Sequence, residues 1–140
     1  MKKTLILTTT LFASTLTLSG CGETNKIKAE DLTHHRFVLI KANGQDVPAD
    51  KETEIEFGEN MNVIGKMCNR FVAKVTLENE KIKAPSVGMT KMICNDAQLD
   101  NLDGIITKLI TEGATVSLDK GQLTLKNQEN ELIYQLKDLM

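Results

Sequence analysis

Apolar and polar residues alternate over short stretches through most of the chain, which is the pattern of half-buried β-strands. Residues 54–57 read acid, apolar, acid, apolar, so Ile55 and Phe57 are expected to face a core while Glu54 and Glu56 face water. Other short apolar runs lie between turn-forming residues and predict further strands. They cover residues 37–40, 62–64, 71–77, 81–84, 115–118, 122–125 and 132–136.

One segment, residues 96–112, instead has the period of an amphipathic helix. Its apolar positions are Leu99, Leu102, Ile105, Ile106, Leu109 and Ile110. Asn95 and Gln98 are predicted to form a capping box at its start, and Gly113 to end it. One helix among seven or eight short strands predicts an α+β fold. We expect a mixed, mainly antiparallel sheet, curled like a barrel and covered by the helix.

The first 20 residues have the pattern of an export signal. Lys2 and Lys3 precede a largely apolar stretch at residues 5–18. A stretch of about 14 residues is too short to span a bilayer, which takes about 20 residues in a helix. The segment ends in Leu18-Ser19-Gly20-Cys21, which resembles a bacterial lipobox, where a signal peptidase cuts before the cysteine.

The lipobox predicts Cys21 as the lipid attachment site. Residues 1–20 would then be a removable signal peptide, residues 21–27 a lipidated tether and residues 28–140 the folded domain. The alternative is that Cys21 is an incidental thiol after an ordinary signal peptide. The acyl chains of a bacterial lipoprotein are together sufficient to hold a domain on a membrane.

The net charge of the chain bears on its partners and on how it is attached to a membrane. The whole chain has 17 basic and 19 acidic residues and a formal charge of −2. Without residues 1–20 it has 15 basic and 19 acidic residues, which gives −4. A net negative charge gives nucleic acid no bulk attraction, so no nucleic-acid partner is predicted. The same charge should repel an anionic membrane surface, so the lipid on Cys21 would have to provide the attachment.

Cys68 and Cys94 are the remaining cysteines, and an exported chain lies in a compartment where disulfides form and persist. A bridge between them would close a loop of about 27 residues and stabilise the fold by roughly 3–3.5 kcal/mol. Two alternatives stay open. The cysteines are buried free thiols, or Cys94 is a reactive thiol ahead of the helix N-terminus.

Residues for catalysis or metal binding are sparse. His34 and His35 are the only histidines, and neighbours on a strand point to opposite faces, so no metal site is predicted. The sequence has no glycine-rich phosphate loop and no G-x-S-x-G nucleophile motif. We therefore predict a non-catalytic protein without a cofactor.

Two segments carry a family resemblance. Residues 65–71 read GKMCNRF and residues 88–94 read GMTKMIC. They resemble the paired signature of META-domain proteins, G-x-x-C-N-x-[FY] and T-[KR]-M-x-C ahead of a helix. The residues concerned are Gly65, Cys68, Asn69, Arg70, Phe71, Thr90, Lys91, Met92 and Cys94. The resemblance covers the mature chain and is closest to the enterobacterial heat-shock lipoproteins of that family.

The resemblance implies a small barrel-like sheet, a cell-envelope location, heat-shock expression and a link to novobiocin tolerance. Gly22, rather than aspartate, follows Cys21, which implies the outer membrane. The expected function is a non-catalytic, outer-membrane-anchored lipoprotein of the envelope stress response. The alternative is a binding or inhibitory module that acts on another envelope protein or on a small apolar ligand. The resemblance implies no activity or cofactor.

The role of the motif residues stays open between two interpretations. In the first, Asn69 and Arg70 form a buried structural polar cluster. In the second, Asn69, Arg70, Thr90 and Lys91 form a ligand subsite. Four methionines are expected to fill the core, the alternative being a Met-rich binding surface. They are Met61, Met67, Met89 and Met92.

Overall fold

The computed structural model describes the chain from residue 26 to residue 139, and its side chains as far as residue 137. The predicted signal peptide, Cys21 and most of the tether lie outside the described residues. Within residues 26–139 no helix is both long enough and apolar enough to cross a membrane.

The described chain forms two α-helices and eleven strands. In order they are α1 (Ala29–Leu32), β1 (His35–Ala42), β2 (Gln45–Asp46), β3 (Glu54–Phe57), β4 (Asn62–Lys66), β5 (Arg70–Lys74), β6 (Thr76–Glu78), β7 (Lys81–Lys83), β8 (Gly88–Met89), α2 (Ala97–Glu112), β9 (Ala114–Asp119), β10 (Gln122–Lys126) and β11 (Glu131–Leu139). Short 3-10 turns cover Ala49–Lys51 and Glu59–Met61.

The strands form one curled sheet in the order β6-β7-β9-β10-β11-β1-β3-β4-β5-β8, with β2 paired to β1. Only Val75 separates β5 from β6, so they are two parts of one longer strand. Phe71 pairs with Met89 and Leu77 with Ile82, so β8 and β7 likewise follow one line, interrupted around Pro85. With these pieces joined and β2 set aside, eight longer strands bring the sheet round on itself.

The predicted α+β fold, a curled sheet with one main helix, is confirmed. The strand pairings between described residues are all antiparallel, so the expectation of a mixed sheet was wrong in that detail. Two strands were not predicted, β2 and β8. Each is two residues long, which is too short to show a period.

The inner faces of the strands and one face of α2 form a single hydrophobic core. Ile55 and Phe57 are fully buried, as their alternation predicts, and Phe57 meets Phe37 edge to face with ring centroids 6.2 Å apart. On the outer side Glu56 lies opposite Arg36, whose Nη2 is 3.2 Å from the Glu56 Oε2. Strand alternation therefore separates the core from the surface on successive residues.

Helix α2 covers the inside of the curled sheet with Leu102, Ile105, Ile106, Leu109 and Ile110, all buried. Its N-cap is Asp96, so the prediction of Asn95 was wrong by one residue. Asn95 has a φ of 51°, whereas an N-cap residue needs extended backbone, and Asp96 has a φ of −136°. Gln98 does not close a capping box but accepts from the Lys51 Nζ at 2.6 Å.

The Asp96 carboxylate makes helix stability depend on pH. The Leu99 N–H donates to it at 3.1 Å and the Lys51 ammonium lies 3.0 Å away, and in that order they lower its pKa from the ordinary 3.8. Because the pKa of this carboxyl is lower in the folded state than in the unfolded state, the carboxylate stabilises the fold at pH values above the unfolded pKa. This stabilisation is lost as the pH falls through the folded-state pKa.

We therefore expect Asp96→Ala to lower the free energy of unfolding at pH 7, and the difference from wild type to shrink at pH values below the ordinary 3.8. Urea unfolding of both proteins at pH 7 and pH 3 measures it. Asp100→Ala is the matched control, since that carboxylate is exposed in the same first turn. A difference that is equal at the two pH values would contradict the prediction.

Gly104 lies within α2, on its solvent side. A Cβ built at this position has no atom within 4 Å. Because glycine costs a helix interior about 1 kcal/mol relative to alanine, Gly104→Ala is expected to raise the free energy of unfolding by about that amount. A thermal unfolding midpoint equal to or below that of wild type would show that this glycine has another role.

Candidate functional site

Asn69 is the centre of the motif residues. It lies in the turn between β4 and β5 and is only 6% exposed. Its Oδ1 accepts from the Thr90 hydroxyl at 2.9 Å and from the Met92 N–H. Its Nδ2 donates to the Met92 carbonyl at 3.3 Å and to the Asp103 Oδ2 at 2.8 Å. The amide of Asn69 is thus fully hydrogen-bonded inside the protein, as a buried polar group requires.

Asp103 on α2 completes this cluster and was not identified from the sequence. Its Oδ1 accepts from the backbone N–H of Asn69 at 3.0 Å, while its Oδ2 accepts from the side chain of the same residue. Asp103 follows Leu99 by four residues and precedes Ile106 by three, which places it on the core-facing side of the helix. A carboxylate on that side was the available signal for a buried partner.

A disulfide bond lies next to this cluster. It joins Cys68, 2% exposed, to Cys94, with the two Cα atoms 5.8 Å apart. Asp100 is near both sulfurs, with ligand atoms of all three residues within 4.8 Å of one another. Sulfurs in a disulfide are not thiolates, so this group does not have the donors that a metal ion needs.

The first motif residue, Gly65, makes room for another. Gly65 on β4 lies directly opposite Phe71 on β5, and the Phe71 ring covers the glycine. A Cβ at position 65 would collide with that ring and lie 2.7 Å from the carbonyl oxygen of Glu54. Packing of an aromatic ring over a cross-strand glycine explains both residue types in the motif.

We expect Gly65→Ala to lower the free energy of unfolding by about 2 kcal/mol, because the added methyl group overpacks a closed core. Gly88→Ala is the matched control on a neighbouring strand. There the nearest atom to the added Cβ is a terminal methyl group of the exposed Val72, at 3.1 Å, and the Val72 carbonyl oxygen lies at an ordinary contact distance of 3.8 Å. Denaturant midpoints of the two variants measure the difference, and equal midpoints would contradict the packing argument.

The structure separates the four residues of the expected ligand subsite. Asn69 is buried, whereas Arg70, Thr90 and Lys91 are exposed. Thr90 belongs to the cluster through its hydroxyl, which also accepts from the Arg70 N–H at 3.1 Å. The Arg70 and Lys91 side chains stand outside it. The polar cluster therefore consists of Asn69, Thr90 and Asp103 with the backbone of Met92, and not of Asn69 with the Arg70 guanidinium.

The methionines do not all fill the core as expected. Met61 and Met67 are buried, at 8% and 0% exposure, and Met89 is partly buried. Met92 is 60% exposed, so the expectation was wrong for this residue. The reason is that its backbone, and not its side chain, is held by Asn69.

Tyr134 on β11 is a buried titratable group that the sequence did not single out. It is fully buried, and burial raises the pKa of its phenol. Its hydroxyl has no hydrogen-bond partner among the described residues, and the same is true of the buried Thr53 hydroxyl. The phenol therefore stays neutral at physiological pH, and its ring fills the core.

Comparison with known proteins agrees with the motif. The META domain family model matches residues 30–138. The heat shock protein HslJ of Escherichia coli (strain K12) is 44% identical over 131 residues, which cover 91% of this chain and 94% of that protein.

Solved structures show the same fold. An NMR structure with 44% sequence identity has a TM-score of 0.74 and aligns over 79% of this chain and 95% of its own. An NMR structure of a protein from Burkholderia xenovorans, 19% identical, has a TM-score of 0.62 over 78% of this chain and 86% of its own, which shows the fold alone. The motif, the family match and the near-complete coverage of a curated relative agree, and the chain belongs to the META domain family.

Proposed function

We propose that this protein is a lipid-anchored lipoprotein of the envelope stress response, held through Cys21 in the outer membrane with its META domain in the periplasm. Two observations support it. The apolar stretch at residues 5–18 leads into the lipobox Leu18-Ser19-Gly20-Cys21. The relative HslJ, 44% identical, is named a heat shock protein.

The observation that carries the envelope location is the Cys68–Cys94 disulfide. Structural disulfides form and persist in oxidising compartments such as the periplasm and are rare in the cytosol. A disulfide within the folded domain is therefore what an exported chain should have. It supports the same location as the lipobox, from a different part of the sequence.

A non-catalytic role is supported by what the motif residues do. Gly65, Phe71 and Asn69 are engaged in packing and in internal hydrogen bonds, and the two motif cysteines in a covalent bond. These contacts account for the motif as the means of fixing the fold. We propose that novobiocin tolerance follows from the presence of the anchored domain in the envelope, without turnover of the antibiotic.

Labelling with palmitate tests the anchor. Wild type is expected to incorporate the label and to lose residues 1–20, as shown by mass spectrometry of the N-terminal peptide, whereas Cys21→Ala incorporates none. Gly22→Asp is the matched control, expected to keep the label and to move from the outer to the inner membrane on a density gradient. Absence of label from the wild-type protein would refute the lipoprotein assignment.

Complementation tests the stress role. In a strain that lacks this gene, wild type is expected to restore growth in novobiocin and after heat shock. Cys21→Ala should fail although its domain folds. Full restoration by the unlipidated variant would show that membrane attachment is not needed for the function.

A further inference from the structure

The charge of the chain is strongly segregated. Residues 60–77 and 81–95 contain six cations and no acid, in a chain whose net charge is −2. The cations are Lys66, Arg70, Lys74, Lys81, Lys83 and Lys91. Glu78 and Glu80 lie between these two segments, and the other acidic residues lie elsewhere in the chain, so the net negative charge does not describe this part of it.

The fold brings these residues onto one surface. Strand β4 pairs with β5, and β5 with its continuation β6 pairs with β8 and β7, so five of the cations lie on three adjacent lines of the barrel wall. The sixth, Lys91, follows the end of β8. We name the outer surface of β4 to β8, together with residues 90–93, the cationic face. It also contains two acids, the exposed Glu78 opposite Lys81 at the end of β6 and the half-buried Glu80 in the turn that follows. Lys66 has one ion pair, to the exposed Glu52 at 3.7 Å. The other five cations have no ion pair among the described residues.

The same face holds most of the exposed apolar side chains. Five large hydrophobic residues are exposed in the described chain, and four of them lie here: Ile64, Val72, Met92 and Ile93. Ile64 and Val72 are cross-strand neighbours in the middle of the face. Met92 and Ile93, 60% and 87% exposed, lie at its end, where Asn69 and the disulfide fix the backbone on either side.

The chain that precedes the domain enters beside this face. Ala29 and Thr33, at the two ends of α1, line one surface hollow with Asn60 and Met61, which lead directly into β4. The acids that border the face on β3 are already neutralised, Glu54 by Lys137 at 3.7 Å and Glu56 by Arg36 at 3.2 Å. A chain anchored ahead of residue 26 can thus bring the face against the surface that holds the anchor.

We propose that the cationic face docks flat on an anionic lipid bilayer, with Ile93 and Met92 in the headgroup and acyl boundary and the cations on lipid phosphates. This inference deepens the proposed membrane attachment and rests on it. Cations interspersed with exposed aliphatic side chains are the combination that binds membrane interfaces. The exposed aliphatic side chains are spread over a convex barrel wall. Such an arrangement matches a continuous lipid surface better than it matches a peptide, whose side chains usually bind in a groove.

A tryptophan reporter tests the docking, since the chain has no tryptophan of its own. The full chain carries Ile93→Trp on the face or, as matched control, Gln135→Trp. Gln135 is exposed on β11, which lies on the opposite side of the barrel from β5. Each protein is mixed with vesicles of phosphatidylcholine, alone or with about a third phosphatidylglycerol.

With the anionic vesicles, the residue-93 tryptophan is expected to shift its emission to shorter wavelength and to be quenched by brominated lipids, while the residue-135 tryptophan does neither. The triple variant R70Q/K74Q/K91Q should lower the ratio of protein with a docked face to protein with a free face about a hundredfold, because each cation removed is expected to lower it about fivefold. The triple variant K108Q/K120Q/K126Q removes the same charge elsewhere and should leave the ratio unchanged.

The docking would be overturned if the two tryptophans had equal emission on anionic vesicles, or if the two triple variants lost docking to the same extent. It would also be overturned if soluble polyglutamate caused the same emission shift of the residue-93 tryptophan, since that would assign the face to an acidic protein. Flotation of the wild-type chain with neutral vesicles, compared with that of Cys21→Ser, tests the anchor alone. The anchor predicts that wild type floats with the vesicles and that the variant does not. Failure of the anchor and failure of the docking are therefore seen separately.

Discussion

Replacing Cys68 and Cys94 together by alanine is expected to lower the free energy of unfolding by about 3 kcal/mol. The bond joins positions 26 residues apart. Without it, the unfolded chain gains the freedom of the whole segment that contains β5 to β8, because no link holds its two ends together. Urea unfolding of the oxidised full chain and of the double variant, followed by circular dichroism, measures the loss.

Reduction provides the control for this prediction. A reductant should bring the wild-type midpoint down to that of the double variant and should leave the double variant unchanged. Both proteins carry Cys21→Ala in this comparison, so that no other thiol reacts. Midpoints that coincide in the oxidised state would show that the bridge contributes nothing to stability, and that the hydrogen bonds of Asn69 and the strand pairing of β5 to β8 hold this region without it.

The elements with a clear period were predictable, and the short or bent ones were not. Alternation at residues 54–57 identifies β3 and the direction of Ile55 and Phe57, because only one face of the sheet meets the core. The interruption at Val75, which divides one predicted strand into β5 and β6, leaves no mark on that pattern since Val75 is still buried. The N-cap of α2 depended on the backbone angle of one residue, which composition does not fix.

The polar cluster shows the same division. The motif pointed to Asn69, but its main partner, Asp103, is 34 residues away on the helix, and contacts at that range follow only from the tertiary structure. Arg70 was expected to join Asn69 inside. Its neighbour Phe71 faces the core, so strand alternation turns Arg70 outward, and the spacing of the motif already contained that information.

Charge composition gives a third case. A formal charge averages over the surface, and an average near zero is compatible with strong local fields of both signs. The eighteen residues from 60 to 77 contain no acid, and this was visible in the sequence. Their assembly with residues 81–95 on one side of the barrel was not, because it depends on β5 and β6 forming one strand.

The second large effect is expected for Asn69→Ala, which should lower the free energy of unfolding by about 3 kcal/mol. The change removes four hydrogen bonds of the buried amide. It leaves the Met92 N–H and carbonyl and one Asp103 oxygen without their partner. Each buried polar group left unsatisfied costs about 1–3 kcal/mol, and water can reach part of this cluster, so the losses do not add in full.

A double-mutant cycle with Asp103→Ala measures the interaction energy between the Asn69 and Asp103 side chains separately from their other contacts. Because the two side chains contact each other directly, we expect a coupling energy of about 1–2 kcal/mol. Arg70→Ala is the matched control beside Asn69 in the motif, and it should change stability by less than about 0.5 kcal/mol since that side chain is exposed. If Asn69→Ala proves too unstable to purify, Asp103→Asn keeps one acceptor and should show a smaller loss. Additive single losses, or an Arg70→Ala loss as large as that of Asn69→Ala, would mean that Asn69 and Asp103 are not the link between α2 and the β4–β5 turn.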